Sequence, residues 1–195
     1  MDLSAVDVCV GHRRPGVLFP LPVVPLELII DAYEGPYREA FLHLLRTTPA
    51  PYSRMQFVPG HITASCFIID RAGRLLLHHH RRLNRWLQMG GHLEPGEDPA
   101  EAALREGAEE SGLHDLSLVA DAIADLDVHR IPEGRGEPEH RHYDVRYIAL
   151  TQSADSIAAD ARESNALMWF DLDRAAALMR GEESLRVIQK IRRLF

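Results

Sequence analysis

Three carboxylates, Glu106, Glu109 and Glu110, stand in the stretch "REGAEESGL" with the spacing i, i+3 and i+4. On a helix that spacing makes them neighbours, and like charges so placed repel one another. Charge of this sign in the last turns also opposes the negative end of the helix dipole. Each effect costs only about a few tenths of a kcal/mol, but all have the same sign and no lysine lies near to offset them. One reading is a solvated acidic face. The other is a cation site: Mg²⁺ or Mn²⁺ takes carboxylate, carbonyl and water oxygens and commonly bridges to substrate phosphates. Gly90, Gly91 and Gly96, just ahead, permit tight turns and the close approach of a backbone carbonyl to an ion. The chemistry implied is metal-assisted phosphate chemistry.

The element that must present these acids is a helix. Asp98 is a good N-cap, Pro99 suits the first helical position, Glu101 completes a capping-box pattern, and Gly112 is a natural stop. Ala100, Ala103, Leu104, Gly107 and Ala108 share an arc that would pack on a sheet, leaving Glu101 and Arg105 towards the outside. Upstream, "PLELIIDAYEGPYREAFLHLLR" predicts two short helices broken at Gly35-Pro36, and the Pro-rich "TTPAPYSRMQFVPG" a linker. "HITASCFIID" and "RLLLHHH" read as strands joined by a turn at Ala72-Gly73. After the acidic helix, "LSLVADAIADLDVHRI", "HYDVRYIAL" and "ALMWFDL" are strand-like, and one helix, or two split at Gly181, closes the chain. The order predicts an α/β fold, a mixed sheet with helices on its faces, comprising residues 56–195 behind a helical extension and linker at 1–55.

A chain of 195 residues suits one sizeable domain with such an extension. A net charge of −7 argues against binding a nucleic-acid polymer, which normally needs clustered Lys and Arg, but not against a small phosphate ligand neutralised by a cation. Cys9 and Cys66 form no C-x-x-C pair, so neither a disulfide framework nor a zinc ribbon is expected, and a reducing cytoplasm is the simplest setting. Asp2 and Asp7 occupy the region where a signal peptide would be basic, and Pro20, Pro22 and Pro25 interrupt the most apolar early stretch, so neither export nor a membrane anchor is expected.

Gly91, Glu97, Arg105, Glu106, Glu109, Glu110, Gly112 and Leu113 together resemble the Nudix box, G-x5-E-x7-R-E-U-x-E-E-x-G-U with U aliphatic. One position departs: Gly107 stands where the pattern has an aliphatic side chain. The resemblance implies an α/β/α sandwich. It also implies hydrolysis of a diphosphate bond in a nucleoside diphosphate linked to another moiety, with Mg²⁺ or Mn²⁺ required. Carried over by position, Glu106, Glu109 and Glu110 would bind metal and activate water, with the Gly90 carbonyl as a further ligand. Glu97 and Arg105 would form a structural ion pair, alongside Gly91 and Gly112. The general base would be a box glutamate or one from a later loop, for which Glu163 is the candidate. Two alternatives are a diphosphate isomerase on the same superfold, for which Cys66 is a thin basis, and a non-catalytic nucleotide-binding sensor, whose box would be expected to have lost glutamates. The leaving group stays open, and the N-terminal helices are candidates for a lid or a homodimer contact.

The chain has eleven histidines, many for its length, and several cluster. His140, His142 and Asp144 alternate along one strand and share a face; the set either binds a transition metal, lines the substrate pocket, or is a polar outer face. His92 either meets phosphate or caps its loop. His78, His79 and His80, followed by Arg81, Arg82 and Arg85, are a phosphate contact or a solvated loop. Trp86 and Tyr143 are base-stacking residues or core. The expected substrate contacts are therefore His92, Arg82, Trp86, His140, His142 and Tyr143.

Overall fold

In a computed structural model, residues 25–120, 122–134, 136–160, 162 and 164–195 are described. In chain order the elements are α1 (Leu26–Asp31), α2 (Arg38–Thr47), β1 (His61–Ile69), β2 (Leu75–His80), β3 (Arg85–Leu87), β4 (Met89–His92) and α3 (Pro99–Ser111). Then come β5 (Ser117–Leu118), β6 (Asp125–Ile131), β7 (His140–Leu150), β8 (Ser164–Phe170), α4 (Leu172–Met179) and α5 (Glu182–Ile191).

β1 is the centre of the sheet, and all of its residues are buried. It runs parallel to β7 in a register from His61 opposite His142 to Ile69 opposite Leu150. Its other edge is shared: β4 pairs antiparallel with the N-terminal half, while β2 meets it only at Ile69 opposite Leu75. β2 carries β3 and β8, and β7 carries β5 and β6, all antiparallel.

Because side chains alternate along a strand, β1 and β7 have two distinct faces. Ile62, Ala64, Cys66 and Ile68, with Val145, Tyr147 and Ala149, pack beneath α1, α2 and α3. On the opposite face Phe67 and Ile69 join Leu75 and Leu77 under α4 and α5. Helices thus cover both faces of a mixed sheet, the expected α/β arrangement. Leu26, Ile30, Phe41, Leu42 and Leu44 of α1 and α2 belong to the main apolar cluster, so the helices of the extension are packed into the core.

Local chemistry sets α3. The Asp98 side chain accepts the Ala100 N–H at 2.8 Å, the Glu101 carboxylate accepts the Asp98 N–H at 3.4 Å, and Gly112 stops the helix at φ +73°. A Cβ on Gly112 would also lie 2.9 Å from Ala158 Cβ, so space and backbone conformation both require glycine there.

The strand readings need two corrections. The strand-like region "LSLVADAIADLDVHRI" holds two strands, β5 and β6, which pair with different stretches of β7. β3 and the Gly-rich β4 are additional strands, formed by pairing with β2 and β1. Among the described residues no helix is long and apolar enough to cross a membrane.

Candidate active site

The pairing of β4 with β1 brings Gly90 and Gly91 beneath the C-terminal half of α3. Glu110 is 8% exposed, and its Oε2 accepts the Gly90 N–H at 3.0 Å. A Cβ on Gly91 would stand 2.6 Å from the Glu106 carboxylate carbon, so glycine there makes the room that carboxylate occupies. Gly90 has φ +156°, and a Cβ on it would lie 2.6 Å from the Ala64 carbonyl oxygen. The glycine pair is therefore a cradle that side chains would fill. Glu106 and Glu110 turn into it, whereas the Glu109 side chain is 60% exposed; the acids the sequence puts on one face divide into two inward and one outward.

Arg105 ties the loop to the helix. It donates to Glu97 at 2.8 and 2.9 Å, to Glu106 at 2.8 Å and to the His92 carbonyl at 3.0 Å, and it approaches Glu109 at 3.4 Å. One guanidinium thus serves three glutamates. Burial pushes Glu106 above the usual carboxylate range, and the bond from Arg105 opposes that shift without cancelling it. The donors are hard oxygens and Glu97, Glu106 and Glu109 divide one guanidinium, so the residues fit Mg²⁺ or Mn²⁺.

Gly107 faces the sheet, and the space of the missing aliphatic side chain is filled from elsewhere: a Cβ would stand 3.1 Å from Leu116 Cδ1 and 3.3 Å from Cys66 Sγ. Cys66 is fully buried and its thiol is pushed up to about 12 by that burial, so it is no acid-base group for an isomerase.

On the far face of the same strands lies a cluster that sequence reasoning missed. Asp144 accepts from Ser65 Oγ at 2.8 Å and Thr63 Oγ1 at 3.2 Å, and from the buried Arg146 at 2.9 Å. Arg146 also donates to Asp127 at 2.9 Å, while Arg186 of α5 donates to Asp125 at 2.8 Å and the Tyr33 hydroxyl to the same aspartate at 3.0 Å. The signal in the sequence was alternation of acids along two strands, which reads as a solvent face until a third layer covers it.

The histidines lie further along that face. His140 and His142 share it with His61, the residue across from His142 on β1, and the ring of His92 lies 5.1 Å from both His61 and His142. Asp144 is diverted to Arg146 and does not join them. Burial and the neighbouring imidazoles lower His92 to about 4 and His142 to about 2, so both are neutral at pH 7.

Of the other expected contacts, Tyr143 is 6% exposed and sits edge-on against Phe41 in the core, which removes it from any base-stacking surface. Trp86 is half-buried between Phe170 and His79. Arg82 lies on the exposed turn after β2, where its backbone N–H donates to His80 Nδ1 at 3.2 Å. His78 is buried against Ser164 Oγ at 2.7 Å. Glu163 lies outside the described residues.

Residues 59–191 match the NUDIX domain model, and the chain belongs to the Nudix family. Among curated proteins, the m7GpppN-mRNA hydrolase NUDT17 of Xenopus laevis is 35% identical over 109 residues, 52% of this chain and 36% of the relative. The chain thus spans about a third of that relative's length. The bis(5'-nucleosyl)-tetraphosphatase [asymmetrical] of Rattus norvegicus is 28% identical over 116 residues, 60% of this chain and 76% of the relative. Among solved structures, a NUDIX-family hydrolase from Clostridium perfringens is 28% identical with a TM-score of 0.53, covering 69% of this chain and 98% of its own. The C. elegans Ap4A hydrolase, 22% identical with a TM-score of 0.53 over 66% of this chain and 93% of its own, shares the fold.

Proposed function

We propose that this chain is a metal-dependent pyrophosphohydrolase that cleaves a diphosphate bond in a nucleoside diphosphate linked to another moiety. The observation that carries the reading is the convergence of Glu106 and Glu110 on the Gly90-Gly91 cradle, with Arg105 divided among Glu97, Glu106 and Glu109 beside it. Glu106, Glu109 and Glu110, with the Gly90 carbonyl, would hold Mg²⁺ or Mn²⁺. When bound, the ion supplies neutralisation of charge on the phosphoryl oxygens.

The chain's own residues do the rest. The Gly90 N–H fixes the Glu110 carboxylate, and the Arg105–Glu97 pair holds the loop against α3. A carboxylate takes the proton of the water that attacks phosphorus; Glu109, the exposed member, and Glu163 are the two candidates. His92, His140, His142, Arg82 and Trp86 are proposed for the rim that receives the substrate. The two curated relatives are named for capped mRNA and bis(5'-nucleosyl) tetraphosphate, which puts dinucleoside polyphosphates first in the substrate order, ahead of ADP-ribose, NADH, nucleotide sugars, coenzyme A and dNTPs. A cytoplasmic setting and association through α1 and α2 complete the proposal.

The test is release of nucleoside monophosphate or phosphate from that panel with Mg²⁺ or Mn²⁺ and with chelator. Turnover that requires the ion supports the reading; no turnover of any member while nucleotide still binds would make the chain a sensor. Glu163→Gln against Glu109→Gln, compared through the pH dependence of kcat, assigns the base.

A further inference from the structure

The second cluster on the sheet has the attributes of a metal centre of another kind. His61, His140 and His142 each offer a ring nitrogen, and those atoms lie within 4.8 Å of one another. His140 Nε2 and His142 Nε2 are 3.3 Å apart. That is the separation two nitrogens adopt on a tetrahedral ion, where bonds of about 2.0–2.1 Å put ligand atoms about 3.3–3.4 Å apart.

Hydrogen bonds fix which nitrogens are free to ligate. His61 Nδ1 lies 3.0 Å from the Gln56 carbonyl oxygen and His140 Nδ1 lies 2.7 Å from the Pro138 carbonyl oxygen, and a carbonyl can only accept. Both Nδ1 atoms therefore carry a proton, and in the neutral rings that leaves both Nε2 lone pairs to ligate. This is the arrangement in which a backbone carbonyl orients a ligating imidazole. The His61 side chain is fully buried, yet its Nε2 has no hydrogen-bond partner. A buried acceptor left so is costly, and an ion bound there would satisfy it. A depression of about 300 Å³ bordered by Phe57, Pro59 and Arg130 reaches His140 from the surface.

We propose that His61, His140 and His142 bind one divalent transition-metal ion, Zn²⁺ in the first instance, at a site separate from the carboxylates of α3. The two sites differ in chemistry and in place. Imidazole nitrogen suits Zn²⁺, whereas the hard oxygens of the box suit Mg²⁺ or Mn²⁺, and the three histidines lie on the sheet face opposite α3. The sites meet at β4: the His92 ring packs on His61 and His142 while its carbonyl accepts from Arg105. An ion at the histidines ties β1, β7 and the segments carrying Gln56 and Pro138 into one unit, a structural role.

The experiment titrates tag-free, metal-free full-length chain with Zn²⁺ alone by calorimetry and with Co²⁺ alone by visible absorption. The expected result is one equivalent bound at the histidines, the one that persists in Glu109→Gln and Glu110→Gln, with the visible bands of four-coordinate Co²⁺. Affinity should fall in His140→Ala and in His142→Ala by more than the roughly 10–100-fold that outer-shell changes cost, and be kept in Glu109→Gln and Glu110→Gln. His142, half-buried where His61 and His140 are buried, makes that variant the one to rely on should circular dichroism find the others unfolded. Absence of stoichiometric binding to wild type, binding unchanged in folded His142→Ala, or binding lost instead in the glutamine variants would each overturn the proposal. None of these readouts uses turnover, so the hydrolase reading and this site fail independently.

Discussion

Three aspartates and three glutamates are gathered on opposite faces of the same central strands, and the chain treats them differently. Asp125, Asp127 and Asp144 are 0%, 4% and 2% exposed, and each is answered from within: Arg146 and Arg186 pair with them, Lys190 comes within 3.9 Å of Asp125, and Ser65, Thr63 and Tyr33 donate hydroxyls. Glu106 and Glu109 share Arg105 with Glu97, and Glu110 accepts from the Gly90 N–H. The pKa directions follow. Burial pushes Asp127 up, but the His129 bond and Arg146 outweigh it and hold the carboxyl below its usual range; Glu106 is held above it. The aspartates are met by two arginines and a lysine, whereas Glu97, Glu106 and Glu109 divide one guanidinium.

The largest way to break this contrast is Arg146→Met. It would leave Asp127 and Asp144 buried without their partner, with an expected loss of about 3–5 kcal/mol in urea unfolding that Mg²⁺ does not restore. Next is Glu110→Gln, which keeps the shape of the bond to Gly90 but lowers turnover by about 10²–10³-fold, the scale of one lost electrostatic group in an active site; its thermal midpoint should stay near wild type.

The third effect is one of pH and has opposite signs at the two clusters. Glu106 has a folded pKa above its unfolded one, so its penalty is present at neutral pH and relieved as pH falls through the carboxylate range. Metal-free Glu106→Gln should therefore be more stable than metal-free wild type at pH 7, with the gap closing on acidification. Asp127 contributes stability above its unfolded pKa that is lost as pH falls, so Asp127→Asn should cost stability at pH 7 and progressively less in acid. Denaturant midpoints across pH measure both. The smallest effect is Gly107→Ala: a gain of about 0.5–1 kcal/mol in helix propensity is set against the close contacts with Leu116 and Cys66, with no change in turnover.

The glutamate side was legible in the sequence because its signals are local. The capping box, the stop glycine, the acid spacing and the glycine pair all fall within two dozen residues. The strands β1, β2, β7 and β8 were legible too, from β-favouring runs. β3 and β4 were not, because short segments such as "MGGH" become strands only by pairing with a distant partner. The aspartate cluster was hidden for the same reason: Asp125 and Arg146 meet only once β6 pairs with β7, and Arg186 arrives from a helix at the end of the chain. His140 and His142 were read as a set with Asp144, whereas the register of β1 on β7 brings His61 to them instead and Arg146 draws Asp144 away.

The most direct measurement is Mn²⁺ binding to the nucleotide-free chain, followed by the disappearance of the free-ion electron paramagnetic resonance signal, in wild type and in Glu109→Gln, Glu110→Gln and their combination. The account predicts binding by wild type that weakens at least about tenfold, one factor of 1.4 kcal/mol, in each single variant and is lost from this site in the double. Equal Mn²⁺ affinity in wild type and the double variant would contradict it.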